Sequence, residues 1–201
     1  MGGGDRITDR AWLTPFARAI PIIILGVIVA LFTPTFTPTA IADRPEGIVA
    51  GAHIGTTAEP ALSDNGPSFG VSIHGPVPGR RHQRLDWLPW TPALGLTASL
   101  SRIHREDDAL TLATLGPMLR WSLHNSDTTI RLSLRPGLIS RSTLGDQELG
   151  GRFQFTSGVT VSQAISELWR LAISAQHTSN ARLYENNDGF NLGTISLEHA
   201  F

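Results

Sequence analysis

His177 and Ser179 are the two residues of this chain whose types and spacing best suit covalent chemistry. A histidine can take the proton of a serine hydroxyl and give its oxygen the alkoxide character needed to attack an ester carbonyl. On an extended strand, residues i and i+2 project from one face, close enough to hydrogen-bond. The reaction such a pair supports is hydrolysis, and it needs no metal. The other histidines (His53, His74, His82, His104, His124 and His199) have no tight metal-ligand spacing and no cysteine or carboxylate cluster beside them, so they are expected at surfaces or interfaces. Phosphate-cradling glycine loops are absent from the sequence, and its one Gly-x-Ser-x-Gly string, Gly66-Pro67-Ser68-Phe69-Gly70, is followed by no helical pattern, which leaves an exported α/β hydrolase without support.

A pair of this kind works only if strands hold it, and the chain alternates with a period of two over much of its length. In residues 94–101, Leu94, Leu96, Ala98 and Leu100 oppose Gly95, Thr97, Ser99 and Ser101. The same pattern returns at 115–123, 130–138, 152–161 and 169–176. Weaker segments at 47–55 and 69–74, and a last one at 190–201, bring the expected number of strands to eight. That is the smallest usual membrane barrel, and each strong segment approaches the roughly 9–11 residues a tilted strand needs to cross the hydrocarbon. A water-soluble barrel would also alternate, with its apolar face inward. Here the polar face combines Arg120, Arg131, Arg135, Arg152 and Arg170 with glycine, serine and threonine, which suits a narrow lumen packed with hydrogen-bonded side chains. The chain also ends on Phe201, in phase with Ile195 and Leu197, as outer-membrane barrels do. The expected fold class is therefore all-β, an eight-stranded antiparallel transmembrane β-barrel.

The ends and the composition fit export. Arg6, Arg10 and Arg18 precede an apolar run over 19–32, and Ala40-Ile41-Ala42 forms a small-x-small cleavage site. The apolar run is shorter than the roughly 20 residues of a spanning helix. Residues 1–42 read as a signal peptide that is removed, and 43–201 as the barrel. The 201 residues contain no cysteine, in keeping with an oxidising destination, and 41% hydrophobic against 16% charged residues fits one folded domain. A net charge of −1 without a long basic run argues against nucleic acid as a partner. The stretch 79–90, with Arg80, Arg81 and Arg84 beside Trp87 and Trp90, reads as a turn leading into an interfacial aromatic belt.

With residues 167–179 as the seventh strand and 189–201 as the eighth, the loop between them is extracellular. His177 keeps the parity of Trp169, Leu171, Ile173 and Ala175, so it and Ser179 project outward at the outer-leaflet end. Asn191 shares the parity of Ile195, Leu197 and Phe201 and joins them there. Polar groups are costly among lipid tails, which favours a functional role. Parity and depth fit equally well a histidine and serine satisfied by water at headgroup level.

The string His177-Thr178-Ser179-Asn180-Ala181, followed by Asn187-Asp188-Gly189, resembles the C-terminal motif of the lipid A 3-O-deacylases of PagL type, and 144–150 resembles that family's extracellular segment. The resemblance covers about the last sixty residues. It implies an outer-membrane barrel of a Gram-negative bacterium that hydrolyses the 3-O-linked acyl ester of lipid A with a Ser-His-acid triad and no cofactor. Lipopolysaccharide and outer-membrane lipid are then the partners, with a homodimer as a further one. By match, Ser179 is the nucleophile and His177 the base, and Asn180 and Asn187 position substrate or donate to the oxyanion. Asn191 stands where the family carries its acid. It can orient His177 but cannot offset an imidazolium charge. Glu185 and Asp188 in the same loop are alternative carboxylates, and Arg182 replaces a small residue where it could meet a lipid A phosphate. The competing expectation is a catalytically degenerate barrel with a structural or lipid-binding role.

Overall fold

Alternating side chains become a closed surface in the computed structural model, which describes residues 47–57, 65–78, 85, 92–105, 107–123 and 127–201. The expected signal peptide lies outside the described residues, as does nearly all of 79–90. Eight strands close the barrel: β1 (Val49–Thr57), β2 (Pro67–Pro76), β3 (Ala93–Arg105), β4 (Asp108–Ser122), β5 (Thr128–Ile139), β8 (Phe153–Ala164), β9 (Trp169–Ser179) and β10 (Phe190–Ala200). Each pairs antiparallel with its neighbours, and β1 joins β10 to complete the ring. The two-residue strands β6 (Thr143–Leu144) and β7 (Gln147–Glu148) form a separate small ribbon between β5 and β8. A closed barrel leaves no unpaired edge, which is the condition a sheet must meet to sit in lipid.

The outward positions are apolar and exposed, Ile54, Leu115 and Ile173 among them, and the inward ones are polar and buried. Inside, hydroxyls of directly paired residues bond across strands: Ser99 with Thr114 at 2.8 Å, Thr129 with Ser162 at 2.6 Å, Thr160 with Ser174 at 2.8 Å and Thr156 with Thr178 at 2.9 Å. Such pairs fix register, because a one-residue slip would turn every hydroxyl toward lipid. Arg131 reaches Glu198 across the lumen with bonds of 3.0 and 2.5 Å.

Three expectations change. His53 and His74 are lumen residues rather than surface ones, bonded to Ser101 Oγ at 3.0 Å and to Arg131 at 2.6 Å. Their parity explains it, since Ile54 and Ile73 take the outward positions beside them. Arg152 precedes β8 and is exposed, so it lies outside the lumen. The polar-inside rule also reverses at the end of the barrel away from Phe201, where Ile103, Leu110, Leu112, Ile139, Phe190 and Leu192 turn inward and pack with Leu144 and Leu149. His82 and His124 lie outside the described residues.

Candidate active site

The closed register of β8, β9 and β10 brings the candidate residues together on the outward surface. His177 faces Asn191 on β10 and Ser157 on β8, and Ser179 faces Phe155. Thr178, between the two, is buried and points inward to Thr156. His177 Nδ1 and Asn191 Oδ1 are 2.9 Å apart. A carboxamide oxygen only accepts, so Nδ1 carries a proton; in the neutral ring the lone pair is then on Nε2, the tautomer a general base requires. His177, Ser179 and Asn191 are all half-buried.

Gly189 is the backing of this group. A Cβ there would sit 3.2 Å from Ser179 Cβ and 3.3 Å from His177 Cε1, so the two side chains flank one point in space. Its φ of +59° is the left-handed region that glycine enters without steric cost. Ser179 Oγ has no hydrogen bond among the described residues, so the bond expected to His177 is not formed in this structure. Nucleophile and base often meet only when bound substrate tightens the site.

The loop from Asn180 to Asp188 is tied to the ribbon of β6 and β7. Asn180 is fully buried and donates both side-chain hydrogens, to Leu149 O at 2.9 Å and Asn186 O at 2.5 Å, while its backbone N–H donates to Asn187 Oδ1 at 2.9 Å. Both Asn180 donors are thus committed to the loop. Glu148 N donates to Asp188 Oδ2 at 2.8 Å, Asp188 N returns a bond to Glu148 O at 3.3 Å, and Asn186 Nδ2 donates to Glu148 Oε2. The two sequence stretches that carry the motifs, 144–150 and 177–189, are therefore in contact.

These ties hold strain. Ala181 and Arg182 have φ of 52° and 64°, the only positive values at non-glycine residues in the described chain. Each costs on the order of 1–2 kcal/mol, and such residues persist where their surroundings over-determine them. Of the two loop carboxylates, Asp188 is occupied by Glu148 and Glu185 is exposed to solvent. Neither has a hydrogen bond to His177, whose Nδ1 is taken by Asn191. Ser157 was not foreseen. It breaks the apolar run of Phe153, Phe155, Val159 and Val161 on the outward face of β8, and only its cross-strand pairing with His177 reveals its place.

Comparison with known proteins agrees with this architecture. No curated protein sequence matches the chain significantly. Among solved structures, the crystal structure of the outer membrane enzyme PagL is similar at a TM-score of 0.59 and 16% identity, covering 75% of this chain and 97% of that one. Neisserial surface protein A is similar at a TM-score of 0.48 and 13% identity, with 77% and 96% covered. The N-terminal barrel domain of Pseudomonas aeruginosa OprF gives 0.48 and 13%, with 79% and 100% covered. The sequence pattern of the lipid A 3-O-deacylase (PagL) family matches residues 68–200, a span that includes six of the eight barrel strands whole, all but the first residue of β2, and every candidate site residue. The chain is therefore an outer-membrane barrel of the lipid A 3-O-deacylase (PagL) family.

Proposed function

We propose that this barrel removes the 3-O-linked acyl chain of lipid A, using Ser179 as nucleophile and His177 as base at a site facing the outer-leaflet lipid. The observation that carries the reading is the His177–Asn191 bond of 2.9 Å on the outward face, in a chain that belongs to this family. Asn191 fixes the ring so that Nε2 takes the Ser179 proton as Oγ attacks the ester carbonyl. His177 then returns the proton to the departing sugar oxygen, and water hydrolyses the acyl-serine by the same route. Asn187, whose Oδ1 accepts from Asn180 N–H, keeps its amide hydrogens to offer to the oxyanion. Asn180 serves by holding the loop. Arg182, exposed and three residues after Ser179, is suited to a lipid A phosphate. Below the polar group, Ala175 pairs with Gly193, where a Cβ would meet nothing within 4 Å, leaving a hollow for an acyl chain.

Production of the protein in a Gram-negative outer membrane is expected to convert lipid A to a species lighter by one hydroxyacyl chain in mass spectrometry. An unchanged spectrum from folded barrel would overturn the proposal. Asn191→Glu tests the missing acid. A carboxylate about 4 Å from an imidazolium is worth roughly 1–4 kcal/mol between aqueous and surface dielectric limits. Its introduction is expected to raise kcat roughly ten-fold or more, read in initial rates on purified lipid A in detergent. Activity confined to that variant would instead identify the natural chain as a degenerate relative.

A further inference from the structure

Around Arg135 the charge inside the barrel does not balance among the described residues. Arg131 and Arg135, both on β5, point into the lumen with 8% and 5% of their surface exposed. Arg131 is fully engaged: it pairs with Glu198 through both terminal nitrogens, and its Nη1 lies 2.6 Å from His74 Nε2. A guanidinium can only donate, so that ring nitrogen is an acceptor and His74 is the neutral imidazole, adding no charge of its own. Among the described residues Arg135 meets only neutral partners, Ser99 Oγ at 3.0 Å and Gln176 Oε1 at 2.6 Å, and its buried Nε has none. Arg170 lies toward the Phe201 end, held by Asp127 O at 2.7 Å and Thr129 Oγ1 at 3.0 Å.

A cavity of about 50 Å³ lies between these groups, lined by both Arg131 and Arg135 and by His53, Ser133, Gln176 and Glu198 among others. It has room for roughly three or four water-sized occupants. Glu198 is the one carboxylate among its lining residues, and Arg131 already holds it in a two-bond pair. Water there would satisfy the Nε–H of Arg135 but not the charge, and a buried cation without a counter-charge is expensive. We infer that the lumen is a binding site for a small monovalent inorganic anion of chloride size, held by Arg135 beside the Arg131–Glu198 pair. The surrounding hydroxyls complete its coordination as donors.

Gln176→Glu is the informative variant, because it places a carboxylate on the Arg135 terminal nitrogen and supplies the counter-charge from within the chain. The purified barrel in detergent micelles would be unfolded thermally in sodium chloride, sodium bromide and sodium gluconate at equal ionic strength. Its midpoint is expected to be roughly 2–4 °C higher in the halides, saturating with halide concentration. Gln176→Glu and Arg135→Met should each lose that dependence, and crystals grown in bromide should show an anomalous peak next to Arg135 in wild type alone. Should Arg135→Met fail to fold, Gln176→Glu and the anomalous peak still decide. Equal midpoints in halide and gluconate with no lumen peak would overturn the inference. A halide gain persisting undiminished in Gln176→Glu would do the same by placing the anion elsewhere.

Discussion

Ser179→Ala is expected to lower kcat for deacylation by roughly 10⁴- to 10⁶-fold while leaving the barrel folded, the largest effect on activity this structure predicts. The hydroxyl sits half-buried on the outward face and makes no hydrogen bond to the described chain, so removing one oxygen leaves no orphaned partner and no cavity in a packed interior. Its stability cost should stay within the roughly 0.5 kcal/mol typical of such sites. His177→Gln should fall by a similar factor, and the double variant should be no slower than either single one, because nucleophile and base act as a unit. Initial rates on lipid A in micelles, beside circular dichroism to verify the fold, give the measurement. If Ser179→Ala keeps a tenth of wild-type activity, another nucleophile carries the reaction. Ser157, which faces His177 from β8, is then the one to replace.

Glu198→Ala carries the largest expected effect on stability. Glu198 is 2% exposed and accepts two bonds from Arg131, itself 8% exposed. Removing the carboxylate leaves a guanidinium inside the barrel facing a neutral imidazole, and breaking a buried pair from one side costs about 3–5 kcal/mol. That is a large fraction of the roughly 5–15 kcal/mol that separates folded from unfolded chains. The double substitution Arg131→Met with Glu198→Leu is expected to recover most of the loss, since it removes both charges and keeps side-chain volume. Urea unfolding of wild type, Arg131→Met, Glu198→Leu and their double variant in micelles isolates the coupling. Losses that simply add would show that the two residues do not act as a pair.

How much of this was legible beforehand follows from where the alternation is clean. In β5, β8 and β9 leucines, valines and isoleucines alternate with arginine, serine and threonine, and the strands appear within a few residues of where period two puts them. β1 and β2 were faint because Gly51, Gly55 and Gly70 dilute the pattern and because His53 and His74 are as plausible on a surface as in a lumen. β4 was found from Leu115 onward, but its first seven residues were not. There Leu110 and Leu112 point inward while Thr111 is outward and bonded to Arg102 at 3.0 Å, so the polarity of the two faces is exchanged. The exchange has a physical cause, since at that end the barrel interior must support loops.

At the site, parity correctly grouped His177, Ser179 and Asn191 on one face, because strand geometry makes it a local property. It could not show that Asn180 is buried and spent on Leu149 and Asn186, since that depends on a loop folding back onto a ribbon some thirty residues earlier in sequence. Nor could it reveal Ser157, whose role rests on the β8–β9 register.

The inward-facing cluster of Ile103, Leu110, Leu112, Ile139, Phe190 and Leu192, sealed by Leu144 and Leu149, bears on permeability. Below that stopper lie the Arg131–Glu198 bridge and a hollow of only about 50 Å³, so solute meets first grease and then a filled interior. Among the described residues no wide water-filled path runs through the barrel, which sets this architecture apart from that of an open pore.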